Sequence, residues 1–253
     1  MNLLKIFESV LAEATIDSAG FKLIKSLGNS STGAQLFKDQ NGKKWVVKSG
    51  HGIDHMWNEY ISNKAYEKFG IKVPKAFIGN INGQPCFISE YLEGSVPISH
   101  DLNTEIKNKA AKGFIFDALF ANFDAVGSER VLDNMRIWNG EVYRVDVGGA
   151  LLYRAMGLDK NMSDEPNEIN TLRGWRNPNM ARVFGGVTDD KIKAQINSIM
   201  KKFVVDGNID WDKYKDYISK IVNQDEIGMS PDKKMEIVSK LLIRTKNLYN
   251  LFN

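Results

Sequence analysis

The chain has 253 residues, which is long enough to bury a substantial core and to form one domain or two lobes around a cleft. Hydrophobic residues make up 43% and charged residues 26%, so the composition is globular rather than disordered or fibrous. With 34 Lys and Arg against 31 Asp and Glu, the formal net charge is only +3, and no long basic run occurs. We therefore expect no nucleic-acid partner.

Cysteine content and hydropathy limit the class further. Cys86 is the single cysteine, which excludes an intramolecular disulfide and a cysteine metal cluster, and its apolar neighbours predict a core position. No apolar run approaches the ~20 residues that cross a bilayer. We therefore expect a cytoplasmic protein with no membrane partner.

The first 20 residues predict a separate N-terminal helix. Five apolar residues recur at helical spacing and can share one face: Leu3, Leu4, Phe7, Val10 and Leu11. Because Lys5 and Glu8 interrupt them, the segment does not have the pattern of a secretory signal.

Residues 21–93 predict a compact α+β unit. The segments FKLIKSLG, AQLFKDQ and KKWVVKSG alternate apolar and polar residues and are separated by glycine-bearing turns, which indicates a three-stranded antiparallel meander. A helix is predicted over residues 54–69, ending at Gly70. Two further strands, KAFIGN and PCFISEY, are joined by an Asn-Gly turn.

Residues 94–253 predict a larger, mainly helical unit. One strong helix is expected over residues 103–121, followed by a polar loop and two short strands, MRIW and EVYRVDV, around Asn139 and Gly140. Beyond Gly149 the chain is polar and is expected to be irregular. Helices then resume at about residues 189–204, 211–222 and 231–251.

Two features of the first unit fit phosphate binding. The turn LGNSSTGAQLF can offer backbone N–H groups to phosphate oxygens, with Gly28 and Gly33 permitting close approach. Lys48 near a strand end and Glu59 in the next helix can form a positioned cation and its partner. Taken singly, the turn also fits a plain hairpin, and both charges fit solvated surface positions.

The second unit carries three side chains whose oxygen atoms could accept a proton or bind a metal ion. Asp124 and Asn134 lie in the polar loop, and Asp146 follows a hydrophobic strand and precedes Gly148 and Gly149. Phosphoryl transfer needs a carboxylate near the nucleophile and oxygen ligands for magnesium, and these residues supply both. Turn capping is the structural alternative. Asp133 could exchange roles with Asp124, so the base assignment stays open between them.

The boundary PCFISEYLEG is the fourth feature. Backbone groups of Glu90, Tyr91 and Leu92 could hold an adenine edge, although a plain strand between two lobes would look identical.

Together these segments resemble the atypical protein-kinase-like fold. The ordered set GNSSTG, VVK, ISEYLEG, FDALFANFD, LDNMRI and RVDVGGALLYRAMG is similar to HipA-type kinases, the phosphatidylinositol-kinase branch and, above all, kinase-like domains of tailed-phage proteins. The resemblance covers about residues 21–157 well and the helical remainder only generally. It implies a two-lobed α+β fold, with a small β-rich N-lobe over residues 21–93 and a helical C-lobe over residues 94–253.

The resemblance also implies roles for individual residues. Lys48 would bind phosphate with Glu59 as its partner, Asp124 would be the catalytic aspartate, and Asn134 and Asp146 would hold Mg²⁺. The hinge would be Glu90, Tyr91 and Leu92, and the phosphate loop would comprise Gly28, Asn29, Ser30, Ser31, Thr32 and Gly33. The expected ligands are ATP and Mg²⁺, and the expected acceptor is a protein Ser or Thr.

Several positions depart from ordinary protein kinases. Asn122-Phe123-Asp124 replaces His-Arg-Asp, Asn134 follows Asp124 by ten residues rather than five, and Asp146 precedes Val-Gly rather than Phe-Gly. A typical activation loop is absent. Three arginines in its place could contact phosphate or substrate, or serve in structural ion pairs: Arg154, Arg173 and Arg176.

The N-terminal segment carries a second resemblance. Leu11-Ala12-Glu13 resembles the Leu-X-Glu cleavage pattern of packaged phage proteins, which would make residues 1–13 a removable capsid-targeting peptide and the domain a phage effector in the host. One rival is a metal enzyme on His51 and His55, spaced four apart. The others are a catalytically inactive binding or virion module and an AMP transferase.

Overall fold

The computed structural model describes residues 20–27, 33–49, 51–127, 132–224 and 227–253. The expected N-terminal helix, the Leu-X-Glu pattern and residues 28–32 of the expected phosphate loop lie outside these ranges. The described part comprises an antiparallel β-sheet region followed by a mainly helical region, which confirms the predicted α+β class.

A five-stranded antiparallel sheet in the order β1-β2-β3-β5-β4 forms the first region. Its strands and helix are β1 Lys22–Ser26, β2 Gln35–Lys38, β3 Lys44–Lys48, α1 Ile53–Lys68, β4 Ala76–Ile81 and β5 Gln84–Glu90. The β4–β5 turn has positive φ at Asn82 and Gly83, as a two-residue hairpin turn requires. The predicted succession of three strands, a helix and two strands is therefore confirmed.

The second region is mainly helical. Its elements are β6 Val96–Pro97, α2 Thr104–Ala111, α3 Phe114–Leu119, β7 Met135–Trp138, β8 Glu141–Arg144, α4 Glu168–Arg173, α5 Pro178–Phe184, α6 Asp189–Met200, β9 Val204–Val205, β10 Asn208–Ile209, α7 Trp211–Val222 and α8 Pro231–Phe252. Two 3-10 turns, Ile98–His100 and Lys201–Phe203, complete them. Strands β6, β7 and β8 form a small sheet. No helix in the described ranges is long and apolar enough to cross a membrane.

The prediction of a single helix over residues 103–121 was wrong, because the structure divides this segment at Lys112 and Gly113. A Cβ atom at Gly113 would lie 2.4 Å from the guanidinium of Arg144, so the glycine leaves the space that this buried side chain occupies. The predicted burial of the second half is confirmed, since every residue of α3 is buried.

Two other local expectations also differ from the structure. Residues 149–189 were expected to be irregular but contain α4 and α5, which end at Gly174 and Gly185. Strand β1 was expected to alternate between buried and exposed residues, yet all five of its residues are exposed. It lies at the sheet edge and pairs only with β2 among the described strands, so neither of its faces is covered by them.

Two apolar clusters hold the described elements together. The larger joins α1 to the helical region and includes Ile61, Phe120 and Leu151, which are at most 1% exposed. The smaller lies on the sheet and contains Cys86 with Trp45, confirming the predicted core position of the cysteine. Because α1 belongs to the larger cluster, its position relative to the helical region is fixed by packing.

Candidate active site

A cavity of about 350 Å³ lies between the five-stranded sheet and the strands β7 and β8. Its walls combine apolar side chains from the sheet with polar side chains from the loops beside β7 and β8. The lining residues are Leu27, Ala34, Val46, Lys48, Pro74, Ser89, Glu90, Tyr91, Leu92, Ser95, Asp133, Asn134, Arg136, Val145 and Asp146. The volume falls in the range usual for small-molecule sites.

Lys48 is the cation at the inner end of this cavity. It is the last residue of β3, where pairing with Phe87 of β5 fixes its backbone. Its Nζ lies 2.6 Å from Glu59 Oε1 and 3.2 Å from Asp146 Oδ1. Lys48 is therefore in contact both with Glu59, its predicted partner, and with Asp146, which was predicted as part of a separate group, and it bridges the sheet, α1 and the loop after β8.

The charges around Lys48 decide its protonation. Burial lowers the pKa of Lys48, but the carboxylates of Asp146 and Glu59 outweigh it, so the net pKa is raised. Burial is the largest influence on Glu59 and raises its pKa, with Lys48 opposing. Lys48 is thus a fixed ammonium whose partner Asp146 is only half-buried and can contact a ligand in the cavity.

Asn134 directly precedes β7, and Asp146 lies two residues after the end of β8. The N–H of Val145 donates to the carbonyl of Asn134 at 2.9 Å, which keeps the two segments adjacent. Asn134 Nδ2 donates to the backbone carbonyl of Asp124 at 2.7 Å. The amide oxygen of Asn134 and the Asp146 carboxylate are thus oxygen donors that a cation in the cavity could bind, and both residues line the cavity.

Asp124 lies in the loop that Asn134 holds. Burial is the largest influence on its carboxyl and raises the pKa to about 6, with Asp146 and Asp133 adding to the rise. Asp133 is exposed and lines the cavity, whereas Asp124 lines a second cavity in the helical region. Gly127 has φ +100°, and a Cβ there would lie 2.5 Å from Asp133 Oδ1, so only glycine lets this loop approach Asp133.

The predicted phosphate loop is described only at its ends. The N–H of Leu27 donates to the carbonyl of Ala34 at 2.9 Å, and both residues line the cavity. Gly33 has φ +65°, a conformation that favours glycine. The closed base of this turn therefore borders the cavity, as a phosphate loop requires.

The predicted hinge residues line the cavity, but two of their N–H groups are already used. The N–H of Glu90 donates to Lys75 at 2.8 Å, and that of Tyr91 donates to Lys44 at 3.1 Å. Among the described residues, the N–H of Leu92 has no hydrogen-bond partner. Of these three N–H groups, it is therefore the one left for a ligand in the cavity.

Two structural contacts that position the site were not predicted. Asn58 in α1 donates to the carbonyls of Gly148 and Ala150 and accepts from the N–H of Leu152, so it fixes the loop after Asp146. A buried polar residue in a helix gives a weak sequence signal, because its partners are 90 or more residues away.

Arg144 forms the second unpredicted contact, a buried polar cluster behind the site. Its Nε donates to Asp117 Oδ1 at 2.7 Å, and Tyr66 donates to the same oxygen at 2.9 Å. Asn122 Nδ2 donates in turn to the Tyr66 hydroxyl at 3.2 Å. The cluster joins β8, α3 and α1. It also includes Asn122, two residues before Asp124, so it supports the loop that carries Asp124.

The three arginines of residues 150–176 occupy different settings. Arg173 forms an ion pair with Asp189 at 2.6 Å, which is the structural alternative given above. Arg176 lies over the ring of the exposed Trp175. Arg154 lines the second cavity together with Asp124.

His51 and His55 have ring centroids 5.6 Å apart, with His51 before α1 and His55 buried within it. Burial is the largest influence on His55 and lowers its pKa. Within the described ranges, no group of three or more His, Cys, Asp or Glu is arranged to hold a metal ion.

The β-sheet region, the helical region and the cavity between them define a two-lobed kinase-like fold. The chain is similar to the crystal structure of the Helicobacter pylori proinflammatory kinase CtkA, with a TM-score of 0.58 and 14% sequence identity. The match covers 94% of this chain and 98% of that one. At this identity the likeness shows the fold alone. No protein-family model and no curated protein matches the chain.

Proposed function

We propose that this protein is an ATP-dependent kinase that transfers the γ-phosphate of ATP to a hydroxyl acceptor, foremost a protein Ser or Thr. The observation that carries the proposal is the three-residue contact of Lys48 with Glu59 and Asp146 at the inner end of a cavity. This arrangement combines a fixed cation with a half-buried carboxylate, which is what nucleotide phosphates and a divalent cation require. The HipA-type and phage relationships remain predictions from the sequence.

The cavity fits ATP and Mg²⁺ chemically. Apolar walls from Val46, Leu27 and Ala34 suit a base, and the Leu92 N–H suits its edge. The donor set of one amide oxygen and one carboxylate suits a hard cation, which prefers oxygen ligands. Asn134 and Asp146 would hold Mg²⁺, which supplies neutralisation of phosphate charge when bound.

Lys48 and Asp124 would then perform distinct tasks. Lys48 binds a phosphate oxygen and keeps the nucleotide in place. Asp124 accepts a hydrogen bond from the acceptor hydroxyl and takes its proton as the new O–P bond forms and the bond from the γ-phosphorus to ADP breaks. With a pKa of about 6, Asp124 is a carboxylate at neutral pH and can accept that proton.

The test is transfer of label from γ-labelled ATP with Mg²⁺ to lysate proteins, using wild type, Asp124→Ala and Asp146→Ala. Asp216→Ala is a matched control because Asp216 is an exposed residue of α7 away from both cavities. We expect label with wild type and the control, and a loss of at least about 100-fold with both site variants. Near-native transfer by Asp146→Ala would refute the proposal. Label from α-labelled ATP alone would assign AMP transfer instead.

A further inference from the structure

A second cavity, of about 470 Å³, lies in the mainly helical region and borders the Asp124 loop. Asp124 lines it together with Phe123, Arg154, Lys160 and Asn161. Asn134, which lines the first cavity, donates to the backbone of Asp124. The two cavities therefore meet at the residue to which the proton-accepting role is assigned.

Two cations in this cavity lack a carboxylate partner. Lys160 is only 8% exposed, and its Nζ donates to the carbonyls of Ala121 and Gly149, each at 2.7 Å. Within the described ranges, neither Lys160 nor Arg154 has a carboxylate within 4 Å. The Glu168 carboxylate that acts on Lys160 is itself paired with Arg244.

The Lys160 ammonium contacts two carbonyl oxygens and lies 5.9 Å from the ring centroid of Phe123. Without a paired carboxylate this is unfavourable, because burying a charge is costly unless an opposite charge compensates it. Burial is the largest influence and lowers the pKa of Lys160 to about 7; the Glu168 carboxylate opposes the fall, and the positive charges of Arg244 and Arg154 add to it. An anion bound between Lys160 and Arg154 would raise the pKa of Lys160 again. The cavity thus has the electrostatics of an anion site placed beside a carboxylate that accepts protons.

Exposed apolar side chains lie on the segments that carry the lining residues. Phe123 is 50% exposed, and Met156 and Leu158, in the loop that begins at Arg154, are 67% and 65% exposed. The N–H of Arg154 donates to the carbonyl of Leu158 at 2.8 Å, which gives this loop a fixed, hairpin-like form. Exposed apolar side chains on a fixed loop suit contact with the side chains of an extended polypeptide.

We propose that this cavity binds the phosphate acceptor, and that the acceptor is a polypeptide with an acidic side chain next to its Ser or Thr. The acidic carboxylate binds Arg154 and Lys160, the hydroxyl reaches Asp124, and the flanking residues contact Phe123 and Leu158. The inference rests on the kinase function and adds the acceptor's chemical class. Arg154 and Lys160 are positioning residues in this scheme.

A phospholipid headgroup is the alternative anion that carries a hydroxyl. Lys160 lies below the surface, where a side chain of a flexible segment can reach it but a headgroup in a membrane plane is restricted. Arg154 is also the only exposed cation among the described residues that line the cavity, so this part of the chain shows no basic cluster at the entrance. Both points favour a polypeptide.

The experiment compares three dodecapeptides that share one central Ser and differ only in its neighbours, which are Glu, Gln or Lys. Wild type should phosphorylate the Glu peptide with a kcat/KM about tenfold or more above that of the Gln peptide, mainly through KM. Arg154→Glu should lose that preference and favour the Lys peptide. Arg182→Glu is the control, because Arg182 is exposed on α5 and lines neither cavity.

Three outcomes overturn the inference while leaving the kinase function in place. The first is equal use of the three peptides by wild type. The second is an unchanged preference in Arg154→Glu. The third is transfer to vesicles containing phosphoinositides without transfer to any peptide. Asp146→Ala separates the two proposals, since label that persists in this variant refutes the kinase function itself.

Discussion

The buried ion pair between Lys48 and Glu59 permits a quantitative test of how the site is built. The two side chains are 6% and 2% exposed, and their charged atoms are 2.6 Å apart. Removing one partner of a buried pair costs roughly 3–5 kcal/mol, because the other charge remains buried without compensation. We therefore expect Lys48→Met to lower the free energy of unfolding by ~3–5 kcal/mol at pH 7.

The destabilisation caused by Lys48→Met should depend on pH in a defined direction. In Lys48→Met, Glu59 keeps a buried carboxyl, and burial raises its folded-state pKa above the ordinary value of 4.5. A carboxyl with a raised pKa favours the folded state while it is protonated, and this advantage is lost as the pH rises through the folded pKa. The variant should therefore approach wild-type stability near pH 5 and fall behind it at higher pH.

A second substitution isolates the pair. Lys48→Met combined with Glu59→Leu leaves two apolar side chains of similar size, and such replacements are commonly neutral or stabilising. Asp146 loses its partner in this variant, but its side chain is 43% exposed, so the loss should be small. We expect the double variant to regain most of the stability and none of the phosphoryl transfer.

Urea unfolding followed by tryptophan fluorescence at several pH values measures these changes, and the chain carries five tryptophans as probes. The reasoning is refuted if Lys48→Met costs less than about 1 kcal/mol, or if the double variant is no more stable than the single one.

Three other predictions concern single positions. Gly113→Ala should destabilise the protein by about 1–3 kcal/mol in urea unfolding, because its Cβ would lie 2.4 Å from the Arg144 guanidinium; wild-type stability would contradict the described packing. Gly127→Ala should lower phosphoryl transfer by about tenfold or more, since φ +100° and the 2.5 Å approach to Asp133 force the loop to move; unchanged transfer would argue against this loop as part of the site. Lys160 should make stability rise between pH 7 and 10.5, by up to ~5 kcal/mol, because the unfolded state binds the proton that the folded state releases at about pH 7; urea unfolding of Lys160→Met should lack that rise.

Local sequence patterns were sufficient for much of the first region. Two of the three Asn-Gly pairs, Asn82-Gly83 and Asn139-Gly140, form hairpin turns with positive φ at both residues, because this dipeptide adopts that conformation with little strain; the third, Asn41-Gly42, has positive φ only at Gly42. The alternating segments became strands for a similarly local reason. Even the contact of Lys48 with Glu59 was expected, since a strand end and the following helix are close along the chain.

The expectations that failed depend on distant residues. The break at Gly113 exists because Arg144, thirty-one positions later, occupies the space beside it, and a helical pattern cannot reveal that. The role of Lys160 was missed for the same reason. Its two carbonyl partners lie 11 and 39 residues away, and no sequence motif marks such contacts.

The last helix has a consequence for the order in which the protein can mature. Arg244 is fully buried, and its guanidinium donates to the carbonyls of Ala118 and Leu119 at the end of α3 and to that of Glu165 before α4. These bonds attach the segment that precedes Asp124 to α8. During synthesis the segment can therefore gain these contacts only after residue 244, more than a hundred positions later, has been added.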